Sequence, residues 1–321
     1  MNIKDLFKIL HSWEFPLLLK YLIEINFFDS VKDGMTIDML RAEYDFDPDK
    51  MRVLLDVIES HGLIFIHDNK ISLPDFSKKY LLSGSKFYIG SYIVWRIEDL
   101  KHWEANMSSV LKGKMKTVHG DYQYLEYTDK HKEALEGIVV ACSKVYPAED
   151  FARKIKDNIV IKGSLLDLGC GTGFWGLSLI KGFPDLDLIL FDRETDFIEV
   201  EKFGSSIKNN VSIIKGDMFA SGSLPKTDNV LVANVFMDWS DEVLIKMLNK
   251  IVIECNPNNL LIHEFILEKE MSFLNEYNFF AQMETLGKIR SKDWWLLQLK
   301  KYFKEVNFIK LEFGSTAIIC K

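Results

Sequence analysis

Cysteine is scarce in this chain and unpaired in its spacing. Cys142, Cys170, Cys255 and Cys320 form no CxxC, and they are too few and scattered for a disulfide framework. The seven histidines show no HxxxH or HxH spacing, so no metal site is expected. Long apolar runs are missing too. Charges interrupt every run well before the ~20 residues of a membrane span, mean hydropathy is −0.01, and no membrane partner is expected. The N-terminal MNIKDLFKILHSWEF lacks the apolar core and cleavage site of a signal peptide, which makes cytoplasmic residence the expectation. Basic charge is not in excess. Forty Lys and Arg face 47 Asp and Glu, a net of −7, which argues against a nucleic-acid partner. Repeats and low-complexity tracts are absent.

What is present is globular. The 321 residues are 48% hydrophobic and 27% charged, enough apolar material for a real core and about two domains. Residues 1 to about 155 read mostly as helices. Residues 160–321 alternate short apolar runs with helical segments, the pattern of a parallel α/β sheet.

The first hundred residues carry a helix-turn-helix and hairpin. Thr36 is placed to cap a helix over IDMLRAEY, and Asp47-Pro48 suits an N-cap and first helical position. The next helix turns Met51, Leu54, Leu55 and Ile58 to one face and closes near Gly62. LIFIHD and KISLP, joined at Asp68-Asn69, make a hairpin. This is a winged-helix pattern. Its 12 Lys and Arg against 16 Asp and Glu disfavour DNA, so a packing or dimerisation module is expected. The aromatic-rich helical stretch after it suits a lid that contributes to a ligand pocket.

SLLDLGCGTGFWGLSLI, residues 164–180, is the most informative stretch. Leu165, Leu166 and Leu168 make a buried strand, Gly169, Gly171 and Gly173 a tight turn, and FWGLSLI opens a helix. Glycines there let a ligand approach the backbone. LDLILFD ends a second strand at Asp192, 19 residues past Gly173, the spacing of an acid that bonds a ribose diol. VSIIKGDMF ends a third at Asp217, and NVLVANVF runs a fourth through 229–236. Three acids at neighbouring strand ends suit a cationic sulfonium nucleoside. Asp167 would meet an ammonium or its water shell, Asp192 the ribose hydroxyls and Asp217 an adenine amine.

LLDLGCGTG, FD and GDMF resemble the class I S-adenosylmethionine-dependent methyltransferases. DPDKMRVLLDVIESHGLI, MDWSDEVLIKMLNKI, NNLLIHEFIL and GKIRS followed by DWWLLQLKKYF are similar to segments of the small-molecule O-methyltransferases with an N-terminal winged-helix dimerisation domain. The resemblance covers nearly the whole chain. It implies a Rossmann-like seven-stranded sheet, with STAIICK as its antiparallel last strand, and a homodimer. It divides the chain into a dimerisation domain at 1–100, a helical linker or lid at 101–155 and a cofactor-binding domain at 156–321. The cofactor it implies is S-adenosylmethionine, held by Asp167, Gly169, Gly171, Gly173, Asp192, Arg193, Asp217, Met218 and Asn234. The acceptor is a small, aromatic or polyketide- or peptide-derived metabolite. Its pocket draws on Phe236, Met237, Trp239, Phe279, Phe280 and Met283.

The chain departs from the family where the chemistry is done. The family's general base, the His of HDWSDE, is Met237 here, and a thioether cannot accept a proton at physiological pH. The glutamate of GKERT is Ile289, a usual lysine is Ala233, and the other orienting glutamate survives as Glu264. Three accounts stay open. The acceptor needs no base and proximity suffices; or the base has moved to Asp238, Glu264 or His263, or to His119, Tyr122, Tyr124, His131 or Tyr146; or the cofactor serves a reaction other than methylation. Neighbours on one strand, His263 and Glu264 point to opposite faces. Methylation at oxygen is the expectation, with nitrogen or carbon as alternatives.

Overall fold

The computed structural model describes residues 2–85, 87–119, 148–195, 198, 200, 207, 210–267 and 272–321. They fall into two compact units, divided between Leu100 and Lys101.

The first unit begins with helices α1 (Ile3–His11), α2 (Glu14–Glu24) and α3 (Phe27–Ser30). Strand β1 (Met35–Thr36) leads into α4 (Ile37–Tyr44), and α5 (Pro48–Ser60) follows. Both expected caps form. Thr36 accepts from the Met39 N–H and Asp47 from the Lys50 N–H at 3.0 Å, with Pro48 opening α5. Such a cap contributes about 1 kcal/mol. Met51, Leu55 and Ile58 are buried with Leu22, Phe27, Phe28 and Leu40, whereas Leu54 is half-buried at the edge. Strands β2 (Phe65–His67) and β3 (Lys70–Ser72) form the hairpin. Asp68 and Asn69 both take positive φ, 49° and 60°, the signature of a tight type I′ turn. The small sheet has the order β1-β3-β2, and α6 (Asp75–Tyr80) and α7 (Gly90–Leu111) come after it.

The second unit is built on a seven-stranded sheet. Its elements are α8 (Ala148–Asn158), β4 (Ser164–Leu168), α9 (Phe174–Ile180), β5 (Asp187–Asp192), β6 (Val211–Lys215) and β7 (Asn229–Ala233). Then come α10 (Asp241–Lys250), β8 (Asn259–Phe265), α11 (Ser272–Glu284), α12 (Lys292–Leu299), β9 (Val306–Lys310) and β10 (Ser315–Cys320). The order is β6-β5-β4-β7-β8-β10-β9, parallel from β6 to β8, with β10 antiparallel to both neighbours.

Successive strand residues alternate between two cores. Leu165, Leu231, Leu261 and Ile319 pack with Phe151 and Leu177 on one face. Leu166, Val230, Ile262 and Ile318 pack with Leu244, Leu248 and Trp295 on the other. A sheet covered on both faces needs such near-continuous apolar strands. Strand order reverses between β4 and β7, and the carboxyl ends of strands at such a point form a ligand crevice.

Several boundaries differ from expectation. β7 stops at Ala233 because Asn234 takes φ 57°, and Phe236–Asp238 then wind into a 3₁₀ turn. β6 stops at Lys215, leaving Asp217 in the turn beyond it. The expected pocket residues Phe279, Phe280 and Met283 lie on α11, Ser272–Glu284.

Candidate active site

The glycine turn after β4 is held by backbone hydrogen bonds. Gly169 and Cys170 N–H both donate to the Phe191 carbonyl, and Gly173 N–H donates to Cys170. All three glycines have positive φ. Gly171 (φ 56°) stands apart, because a Cβ there would meet nothing within 4 Å and would project into open space. At Gly169 it would meet Val235 at 2.8 Å, and at Gly173 Leu190 at 2.9 Å.

Two acids brace this turn. Asp192 accepts from the Gly171 N–H at 2.9 Å and from the Glu194 N–H at 3.2 Å. Burial raises its carboxyl above the ordinary range against those donors. Asp167, 1% exposed, accepts from the Gly176 N–H at 2.8 Å in the first turn of α9. Burial, with the Asp192 charge adding, pushes it up to about 7. Arg193 is half-buried beside Asp192. Asp217 accepts from the Phe219 N–H at 2.8 Å, and the Met218 side chain reaches the neighbourhood of Gly169. Thr172 is buried, and its hydroxyl has no hydrogen-bond partner among the described residues.

The second cluster lies past β7. The Met237 N–H donates to Glu264 Oε1 at 3.2 Å, tying the 3₁₀ turn to β8. Glu264 is 2% exposed. Burial, with the Asp238 charge adding and Arg290 opposing, pushes it up to about 8. Asp238 is half-buried; burial first, then the Glu284 charge, pushes it up to about 7.

Arg290 clamps this turn. It is 3% exposed and donates to the carbonyls of Phe236 (3.0 Å), Trp239 (2.5 Å) and Lys288 (3.0 Å) and to the Asp241 carboxylate (2.8 Å). Lys288 also pairs with Asp241, at 2.8 Å. Gly287 lies so close that a Cβ there would sit 1.8 Å from the Met237 carbonyl oxygen. Gly287 and Arg290 stand in the GKIRS segment that resembles a family motif, though that resemblance assigned them no role, and Glu284 gave no signal.

The candidates do not all converge. Met237, Asp238 and Glu264 come together. His263 lies on the other face of β8, 4.2 Å from the Trp175 ring and 5.9 Å from Phe151, with Nδ1 2.9 Å from the Asn234 carboxamide oxygen. Burial pushes it down to about 3. Phe236, expected in the pocket, is wholly buried against Trp295. Trp239 meets Phe219 edge to face at 4.6 Å. Phe280 meets Trp103 edge to face at 4.9 Å, Phe279 meets it at 6.2 Å, and Met283 is buried with Trp103 and Val118. Trp103 Nε1 donates to Glu284 at 3.2 Å. Ile289, at the family's glutamate position, is buried. The His119 ring lies 5.2 Å from His102. Tyr122, Tyr124, His131, Tyr146 and most of the expected lid lie outside the described residues.

Sheet order, glycine turn and strand-end acids define an α/β protein with the class I methyltransferase fold. The chain belongs to the O-methyltransferase domain family, whose model matches residues 140–300. Among characterised relatives, it is 29% identical over 212 residues to cephaeline 6′-O-methyltransferase of Carapichea ipecacuanha, covering 61% of this chain and 56% of that one. It is 25% identical over 252 residues to (R,S)-reticuline 7-O-methyltransferase of Papaver somniferum, covering 73% and 68%. The first match thus spans little more than half of that relative's length. The structure of human N-acetylserotonin methyltransferase in complex with SAM superposes with a TM-score of 0.80 over 99% of this chain and 96% of that one, at 17% identity.

Proposed function

We propose that this chain is an S-adenosylmethionine-dependent methyltransferase acting at oxygen on a small, aromatic or polyketide- or peptide-derived biosynthetic metabolite. The observation that carries the reading is the glycine turn, with open space at Gly171 beside the Asp192 carboxyl. The residues fit the cofactor. The unpartnered Thr172 hydroxyl and the space at Gly171 suit a ligand lying along the turn, and Asp192 keeps lone pairs for a ribose diol. Asp167 would serve the amino-acid end, and Asp217 and Met218 the base. When bound, the cofactor supplies an electrophilic methyl group on a sulfonium.

The chain's own part is to position the acceptor and exclude water. Phe279 and Phe280, backed by the buried Trp103 and Met283, offer an apolar, aromatic surface for a planar acceptor. Met237 in place of the family's imidazole removes one proton acceptor. That departure is also what favours the second reading, a cofactor-binding member of the fold with a reaction other than O-methylation. Incubating the chain with methyl-labelled cofactor and a library of hydroxyl, amine and activated-carbon acceptors separates the readings. Label in an O-methyl product supports the first, and label only in N- or C-methyl products, or none despite cofactor binding, overturns it.

We also infer a homodimer. Helix α1 buries no residue, and Ile3, Phe7, Leu10 and Trp13 are each at least 58% exposed along it and the next turn. Apolar surface of that extent is rarely left wet. Light scattering at micromolar concentration is expected to give twice the mass of 37.3 kDa, and a monomer contradicts the inference. Among the described residues, no helix is long and apolar enough to cross a membrane.

A further inference from the structure

We propose that Asp238 takes the proton from the acceptor's hydroxyl, one residue along the turn from the place where Met237 fills the relatives' histidine position. The proposal rests on the O-methyltransferase reading above and names the group that reading leaves open.

Each of the other described acids near the site already accepts a hydrogen bond or holds an ion pair; Tyr122, Tyr124, His131 and Tyr146 lie outside the described residues. Asp167 is engaged by the Gly176 N–H, Asp192 by Gly171 and Glu194, and Asp217 by Phe219. Glu264 holds the Met237 N–H, Glu284 takes the Trp103 indole N–H, and Asp241 is paired with Lys288 and Arg290. His263 is on the opposite face of β8, against Trp175 and Asn234. Among the described residues, no hydrogen-bond donor reaches the Asp238 carboxyl. The residue as a whole is half-buried.

The position of Asp238 is fixed in advance. Arg290 grips the carbonyls of Phe236 and Trp239 on either side of it, Glu264 holds the Met237 N–H, and Gly287 lies against the same peptides. A proton acceptor on so constrained a turn needs no reorganisation in the reaction. The charged groups around it are Glu264 on β8, Glu284 at the end of α11, and Arg290 with its partners Asp241 and Lys288. Burial first, and then the Glu284 charge, brings Asp238 to about 7, where a general base works best near neutrality.

In the step itself, the acceptor O–H proton passes to an Asp238 carboxylate oxygen. The oxygen lone pair forms the new C–O bond to the sulfonium methyl, and sulfur keeps the electron pair of the broken C–S bond. Asp238 then releases the proton to water.

The test uses the full chain and the variants D238N and E284Q. Calorimetry with S-adenosylmethionine comes first. All three proteins are expected to bind it alike, and failure of the unaltered chain to bind overturns the underlying reading rather than this one. Next, aspartate carboxyl groups are isotope-labelled and titrated by NMR in the S-adenosylhomocysteine complex. A resonance with a midpoint between about 6 and 8 is expected, absent in D238N and shifted down in E284Q by about half a unit or more. An Asp238 resonance titrating below about pH 5 overturns the proposal. Last, catechol and para-nitrophenol serve as acceptor probes. D238N should lose roughly 10²-fold in turnover of catechol and far less with the readily ionised nitrophenol. D238N within about threefold of the unaltered chain on catechol, with the same pH profile, also overturns it. If catechol is not methylated, the NMR titration alone decides.

Discussion

Replacing Arg290 by methionine tests the physical basis of the site. Arg290 is 3% exposed and forms four hydrogen bonds, two of them to carbonyls of the turn that carries Met237 and Asp238. Removing one charged hydrogen bond costs about 1.5–3 kcal/mol, but bonds from one guanidinium do not add. Asp241 retains Lys288 at 2.8 Å and is partly exposed, so its loss is discounted. The carbonyls of Trp239 and Phe236, the latter left with only the long 3.3 Å bond from the Trp239 N–H, dominate, and methionine keeps most of the packing. The expected cost is about 3 kcal/mol, or a drop in Tm of about 6–12 °C for a unit of this size. Urea unfolding should show a lower midpoint at an unchanged slope. Arg290→Lys should recover less than half, because an ammonium cannot fork to two carbonyls. A loss under about 1 kcal/mol, or full recovery by lysine, would refute the clamp.

Three further outcomes follow from the geometry. Asp192→Ala should weaken S-adenosylmethionine binding by about 1.5–3 kcal/mol while the chain stays folded, and unchanged affinity by calorimetry removes Asp192 from the cofactor's cradle. Gly287→Ala should lower thermal stability by about 2 kcal/mol or more, since its Cβ meets a backbone oxygen at 1.8 Å; a neutral result in a melting scan means the turn yields easily. His263 is held neutral, with its pKa down near 3 by burial. The unfolded chain takes up a proton below about pH 6.5 and the folded chain does not, so this contribution is present above about 6.5 and is lost as pH falls toward 3. Unfolding midpoints of the unaltered chain and His263→Gln should converge on acidification over that window, and parallel curves would rule it out.

Much of the site was legible because its signals are local. The Gly169–Gly173 turn joins a strand and a helix that are contiguous in sequence, and Asp68-Asn69 announces its own turn. Alternation along β8 sends His263 and Glu264 to opposite faces from spacing alone. The limits lie where tertiary contacts decide. Asn234 adopts a left-handed conformation and ends β7 two residues before Phe236, which turns that ring into the core against Trp295. Arg290 and Phe236 are 54 residues apart, and Gly287 is needed only because the Met237 peptide lies against it. GKIRS marks the segment, but neither periodicity nor spacing encodes such a meeting. The resemblance puts Met237 where a proton acceptor is expected, but the sequence does not show that the Asp238 carboxyl is without a donor.

The central claim is that the turn after β4 cradles S-adenosylmethionine, and calorimetric titration of the full chain measures this directly. One site per chain is expected, with Kd below roughly 1 mM, weakened in Asp192→Ala and abolished in Gly171→Val, whose side chain would fill the open space at that turn. Absence of heat and of any cofactor-dependent rise in Tm in the unaltered chain, or equal binding by Gly171→Val, would contradict it.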